Sequence, residues 1–314
     1  MKILFMGTPD FARAILEAVH KSGEEIVGVV TQPDKPVGRK HVLTPPPVKV
    51  YATENNIPVY QPATLKDGAF AAELDALAPE LIMVAAYGKI LPAYVLDYPK
   101  YGCINAHGSL LPKYRGAAPI QRAILDGETV TGVTSMYMEA GLDTGDMILK
   151  VPVEITEEDD FGTLHDKLAA AGCEAMLQTV AQLKAGTVHA EKQDGSLSCY
   201  AAKIENTDCA LDFSRPVKEV HNRVRALSPA PLSVALTADG KTLKVISAAA
   251  EVCAVTAAAG TVVATDKGTV DVACADGILH ITGVQPEGKG RMRAQDFING
   301  RKIAVGDVLG TPKF

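Results

Sequence analysis

Residues 81–87 read LIMVAAY, an apolar run of strand length with no polar interruption. A strand with one wet face alternates, whereas a strand covered on both faces does not, so this run reads as the centre of a parallel sheet. Its neighbours fit that sheet: KILFMG (2–7), EEIVGVVTQ (24–32), IPVYQ (57–61) and CINAHG (103–108) each read as strands. Helical patterns separate them. Phe11, Ile15 and Val19 recur every four residues behind Thr8, Pro9 and Asp10, which suit a helix start. Further helices are expected at 48–54 and 69–77. The strand–helix alternation implies an α/β fold: an open, mostly parallel Rossmann-like sheet with helices on both faces. TGVTSMYM (131–138) and DMILKVPVEI (146–155) read as later strands. Asp159 or Asp160 then opens a long helix with Leu164, Leu168, Ala171 and Ala175 on one face.

The pattern breaks around 186–206. The reading is therefore an N-terminal domain over 1–189, a linker over 190–206 and a C-terminal domain over 207–314. A length of 314 residues suits two cores better than one. The tail opens with a short helical piece, HNRVRALS (221–228). Two β-rich stretches follow, with turns at Asp239-Gly240, Gly268 and Asp276-Gly277. Asp-Gly between β-formers signals hairpins, and a small antiparallel OB-like β-barrel is the expected outcome.

Hydrophobic residues make up 47% and charged residues 22% of the chain, and no apolar run reaches the length of a membrane span. The apolar stretch of the N-terminus is too brief for a signal peptide. Six scattered cysteines without a CxxC spacing read as reduced thiols of a cytoplasmic protein. Seven histidines without an HxH or HxxxH pair argue against a metal site. The net charge is −6, divided as +2 over residues 207–314 and −8 over the remainder. A long anionic partner must therefore meet local basic patches.

NAHGSLLPKYRGAAPI (105–120) places Asn105 and His107 at the carboxyl end of a strand, where open parallel sheets bind ligands. Residues two apart on a strand share a face. An Asn amide offers an N–H to an oxygen, and a His gives or takes a proton near neutral pH, so the pair resembles a carbonyl-polarising site. A structural histidine and a turn asparagine are the plainer alternatives. MEAGLDTGDMI (138–148) sets Asp143 between Gly141 and Gly145, either as a tight turn or as a carboxylate that orients an imidazole. Asp146 is expected to be structural.

These stretches resemble the methionyl-tRNA formyltransferases. NAHGSLLPKYRGAAPIQRAI and TGVTSMYMEAGLDTGDMI look like the signature of that family, and ILFMGTPDFA, VVTQPDKPVGRKHVLTPPPVK and AAYGKILP are similar to it as well. SLLP and GLDTGD recur across enzymes that use 10-formyltetrahydrofolate, whereas TQPDKPVGR and RGAAPIQ are narrower. The likeness runs from residue 3 to about residue 170. It implies transfer of a formyl group from 10-formyltetrahydrofolate, a cosubstrate, to the amino group of initiator methionyl-tRNA, by a monomer with no metal and no membrane association. By position in the motif, Asn105, His107 and Asp143 match the catalytic trio. Ser109, Leu110, Leu111 and Pro112 match the folate-contacting segment, and Ala86, Tyr87 and Gly88 form another wall of that pocket. Plain core packing is the alternative for the two leucines.

In the family, an insertion matching residues 31–49 contacts tRNA. Lys35, Arg39 and Lys40 are its candidate ligands here, with Arg39 foremost, against the alternative of a solvated loop. Arg223, Arg225, Lys289, Arg291 and Arg293 could add a phosphate-binding surface in the tail. The chain departs from the family at RALSPAP (225–231), where Ala230 stands in place of a common Trp, at Lys113-Tyr114, where Arg and Trp are frequent, and at Gly108. Three other readings compete. A folate-dependent formyltransferase with a small acceptor would share the core but has no need of the basic loop and the tail. A nucleotide-binding oxidoreductase lacks its GxGxxG here. A non-catalytic tRNA-binding module has no use for the polar trio.

Overall fold

The computed structural model describes residues 1–38, 41–66, 68 and 70–314. The chain forms two compact units. The first comprises Met1–Gly116, Val130–Glu154 and His165–Ala201, and the second Ala117–Thr129, Ile155–Leu164 and Ala202–Phe314.

The first unit starts with β1 (Lys2–Gly7), α1 (Asp10–Lys21) and β2 (Glu25–Val30). A hairpin of β3 (Lys35–Val37) and β4 (Val42–Thr44) interrupts the alternation, where sequence alone indicated a loop. Then come α2 (Pro47–Glu54), β5 (Val59–Tyr60), α3 (Ala71–Leu77), β6 (Leu81–Ala85), α4 (Ala93–Leu96), β7 (Cys103–His107) and the two-residue β8 (Arg115–Gly116). After α5 (Pro119–Leu125), which belongs to the second unit, come β9 (Val130–Tyr137), β10 (Met147–Glu154), the long α6 (Phe161–Ala185) and β11 (Tyr200–Ala201).

Seven strands form one sheet in the order β10-β9-β7-β6-β1-β2-β5. The five from β5 to β7 are parallel, and β9 runs antiparallel to both β7 and β10. Every residue of β6 is buried, which is why LIMVA carries no polar residue. The chain adds strands on one side of β1 and then on the other, so the order reverses between β1 and β6. The carboxyl ends of those strands lie at this switch point, where α/β sheets hold ligands. Gly7 sits there because a Cβ would press on Ala12 and the Ala85 carbonyl. Along α1, Phe11, Ile15 and Val19 are buried as their spacing requires, and along α6 so are Leu164, Leu168, Ala171 and Ala175. Asp160 and Thr163 exchange side-chain–backbone hydrogen bonds at the α6 N-terminus, a reciprocal cap.

The second unit contains α5, α7 (Val217–Leu227), β12 (Ser233–Leu236), β13 (Thr242–Val252), β14 (Val262–Ala264), β15 (Val270–Ala273), β16 (Gly277–Pro286), β17 (Met292–Arg293) and α8 (Ala294–Asn299). The strands form an antiparallel sheet, β12-β13-β16-β15-β14, with β17 on β16. Among the described residues no ladder joins the two ends, β12 and β14, but the chain end bridges to both regions, Gly310 to Leu236 and Val308 to Thr261. Val217, Val220 and Val224 of α7 join the sheet residues Val245, Leu279 and Ile281 in one core. Asp276, expected only in a turn, also accepts the Val217 N–H at 2.7 Å and so caps α7.

Two arginines of this unit are structural. Arg225 is buried and donates through Nη1 to the carbonyls of Thr156 and Asp159 and through Nη2 to Asn222, so it is not the surface phosphate ligand its charge implied. Arg223 donates to the carbonyls of Asp208 and Ala210. Where the family's common Trp is missing, Pro229 packs beside Gly162.

Candidate active site

β7 ends in Asn105 and His107, with Ala106 between them turned to the other face. His107 is 6% exposed. Its Nε2 lies 2.8 Å from the Tyr114 carbonyl oxygen. A carbonyl only accepts, so Nε2 carries a proton and donates it there. The other ring nitrogen, Nδ1, faces Asp143 Oδ2 at 3.6 Å. Asn105 is half-buried, and no hydrogen bond to another described residue engages its side-chain amide.

Asp143 sits in the β9–β10 loop at φ +52°. The loop is tight: a Cβ on Gly145 would collide with the Tyr137 carbonyl oxygen, and one on Gly141 with Thr144. Asp143 Oδ2 accepts the Gly116 N–H at 2.9 Å, which aims the carboxylate back toward His107. Asp146 contributes its backbone carbonyl to the Tyr137 N–H.

Residues 114–116 therefore serve both partners, Tyr114 through its carbonyl and Gly116 through its N–H. Sequence reasoning missed this because backbone groups carry no residue signature. The available signal was Gly116, whose φ of +120° and contact with Tyr200 suit glycine. Behind this segment, β8 pairs with β11, Tyr114 N–H contacts Cys199 Sγ and Arg115 N–H donates to Cys199 O.

The remaining candidates divide. Ser109 and Leu111 are buried: Ser109 donates to the Lys113 carbonyl, and Leu111 packs with Met136 and Met147. Thr134, another residue missed from sequence, ties this loop by donating to Ser109 O and accepting from Leu111 N–H. Leu110 and Pro112 are half-buried, Leu110 lying against Gly132. Ala86 and Gly88 follow β6 in left-handed conformations and are exposed. Tyr87 between them is turned into the core, and its carbonyl accepts from Thr8 and Gln32. Burial, with Tyr94 nearby, pushes the Tyr87 hydroxyl up to about 12. Lys35 is exposed on β3, beside exposed Val42 and Leu43 of β4. Arg39 and Lys40 lie outside the described residues. At the base of the hairpin, Lys49 Nζ is held by Asp34 and Gln61 at 2.8 and 2.9 Å. Among the described residues there is no group of three or more His, Cys, Asp or Glu that could hold a metal, and no helix long and apolar enough to cross a membrane.

The "Formyl transferase" family profile matches residues 1–180, and "Formyl transferase, C-terminal domain" matches residues 203–302. Methionyl-tRNA formyltransferase of Bacillus subtilis (strain 168) is 48% identical over 310 residues, which cover 98% of each chain. Methionyl-tRNA formyltransferase of Ectopseudomonas mendocina (strain ymp) is 48% identical over 312 residues, 99% of this chain and 98% of that one. Among solved structures, WlaRD, a sugar 3N-formyl transferase crystallised with dTDP and 5-N-formyl-THF, has a TM-score of 0.66 at 20% identity and covers 92% of this chain and 99% of its own. HypX from Aquifex aeolicus in complex with tetrahydrofolic acid has a TM-score of 0.67 at 16% identity over 97% of this chain, which spans 48% of the HypX chain. These two show a shared fold.

Proposed function

The chain belongs to the methionyl-tRNA formyltransferase family, and we propose that Asn105, His107 and Asp143 carry out its reaction. The enzyme moves the formyl group of 10-formyltetrahydrofolate to the amino group of methionyl initiator tRNA. What supports the choice of residues is one juxtaposition: His107 Nδ1 faces Asp143 Oδ2 at 3.6 Å on the face of β7 that also carries the unengaged Asn105 amide.

10-Formyltetrahydrofolate supplies an electrophilic formyl carbon, and its oxygen gains negative charge as an amine attacks. The Asn105 amide N–H donates to that oxygen. His107, with Nε2–H held on the Tyr114 carbonyl, presents Nδ1–H when doubly protonated and shares the same charge. One such donor is typically worth about 3 to 4 kcal/mol in the transition state. Asp143 Oδ2 is engaged by Gly116, while Oδ1 has no hydrogen-bond partner among the described residues. Oδ1 takes the proton that the attacking amine loses as the new N–C bond forms. That proton returns to the folate nitrogen as the old N–C bond breaks, directly or through water.

The donor is held by the exposed backbone at Ala86 and Gly88 and by the 109–112 segment. Because Ser109 and Leu111 are buried in the protein's own packing, the contacts of that segment fall to backbone groups and to Leu110 and Pro112. Lys35, Arg39 and Lys40 bind tRNA phosphates from the hairpin. The catalytic region is taken as residues 1–189, the linker as 190–206 and a tRNA-binding tail as 207–314. We read the first sheet as Rossmann-like. The tail is read as an OB-like barrel closed by the chain end, on the strength of the two bridges at Leu236 and Thr261. The enzyme acts as a monomer in the cytoplasm. The test is formylation of charged initiator against charged elongator tRNA with the same folate donor. Transfer to the initiator is expected to dominate, and equal transfer to small amines would overturn the macromolecular acceptor.

A further inference from the structure

Asp143 adopts a left-handed backbone on a loop that bears the carboxylate facing His107. Such a loop keeps its aim only when other groups hold it. Gln193 holds it from a part of the chain that carries no motif. Its Nε2 donates to the carbonyls of Asp143 and Gly145, both at 2.8 Å. Its Oε1 accepts from Arg115 Nε at 3.0 Å and Nη2 at 2.8 Å. The orientation of the amide is fixed by chemistry, since the two carbonyls only accept and the guanidinium only donates. The adjacent Gly116 N–H binds the Asp143 carboxylate, and the adjacent Tyr114 carbonyl binds His107. The result is a closed ring: His107, the 114–116 segment, Gln193, the Asp143 loop and back to His107.

The surrounding segment stitches the same two loops together. Glu191 exchanges backbone hydrogen bonds with Met147, Cys199 receives the Arg115 N–H and β11 pairs with β8. Of these contacts, only Gln193 reaches the Asp143 backbone with a side chain.

We propose that Gln193 is a positioning residue for the transfer reaction, setting the aim of the Asp143 carboxylate by clamping the 143–145 turn to Arg115. The proposal rests on the assignment of Asp143 to the catalytic trio. A carboxylate displaced by about 1 Å loses up to about 100-fold in rate. Gln193→Met keeps the shape and removes all four hydrogen bonds. Gln193→Glu keeps the acceptor for Arg115 but turns oxygen against the two carbonyls. Both are made in the full chain and assayed with 10-formyltetrahydrofolate and charged initiator tRNA.

For both variants kcat is expected to fall about 10- to 100-fold, KM for either substrate to stay within about twofold and the urea midpoint to fall only modestly, because the clamp is only part-buried. In an Asp143→Ala background, Gln193→Met is expected to cost less than about twofold more, because no carboxylate remains to be aimed. A purely structural role would cost the same factor in both backgrounds, and that result overturns the proposal. So does wild-type kcat in both single variants, or a loss confined to KM. If Asp143→Ala retains full activity, the assignment of Asp143 fails and takes this proposal with it. If Asp143→Ala loses activity and both Gln193 variants keep wild-type kcat, only the clamp fails.

Discussion

At the scale of single residues, the site depends on a spacing of two. Asn105 and His107 share a face of β7 because strand neighbours alternate, and Asp143 faces His107 from another loop. His107→Ala and Asn105→Ala are each expected to lower kcat by about 100- to 1000-fold, the cost of one lost oxyanion donor. Asp143→Asn is expected to lower it comparably, and all three should leave the tRNA dissociation constant within about twofold. Activity and binding assays on the same preparations separate the two effects, and wild-type turnover in His107→Ala would end the assignment. Asn105 and His107 stood out in the sequence because their types are chemically loaded and sit at a strand end, and Asp143 because two glycines flank it in a loop. Tyr114, Gly116 and Gln193 were not. The first two act through backbone atoms, and Gln193 acts by a contact across 50 positions of chain.

At the scale of elements, buried groups fix how pieces pack. Arg225 of α7 satisfies the carbonyls of Thr156 and Asp159 inside the second unit. Arg225→Met removes the guanidinium donors from both carbonyls and from Asn222 and is expected to destabilise that unit by about 2 to 4 kcal/mol, read as a fall in the urea midpoint. The same variant should leave tRNA affinity per folded molecule unchanged. A loss of affinity without a loss of stability would restore Arg225 as a phosphate ligand. His280 of β16 pairs across the sheet with Asp271 at 2.9 Å and with Glu251 at 3.1 Å. Burial alone would pull its imidazolium down, but hydrogen bonds to Asp271 and Glu251 outweigh that and hold it above the usual histidine value. A raised folded-state value stabilises fully below the unfolded value, near about 6.5, and the gain is lost as pH rises through the folded one. The stability difference between the native chain and His280→Gln is thus expected to be largest below about pH 6 and to shrink by up to about 1 kcal/mol toward pH 9. A difference independent of pH across urea titrations would contradict it. The hairpin of β3 and β4 and the helix α8 escaped the sequence reading: one is proline-rich, and both are too short for periodicity to show.

For the whole molecule, a net charge of −6 must coexist with an anionic substrate, so binding has to rest on local positive groups. Lys35→Ala and Arg39→Ala are each expected to weaken tRNA binding and to reduce the slope of log affinity against log salt by about 1, as measured between low and physiological salt. An unchanged slope would remove the residue from the interface. The sequence alone determined the parallel sheet, the strand end that carries Asn105 and His107 and the antiparallel character of the tail. Those features come from local periodicity and from residue types whose chemistry is visible one at a time. Only the tertiary structure decided that residues 117–129 and 155–164 belong with the tail, and that a segment near residue 193 holds the carboxylate loop. Contacts between distant backbone groups depend on how the chain closes in space, and no short window of sequence encodes that closure.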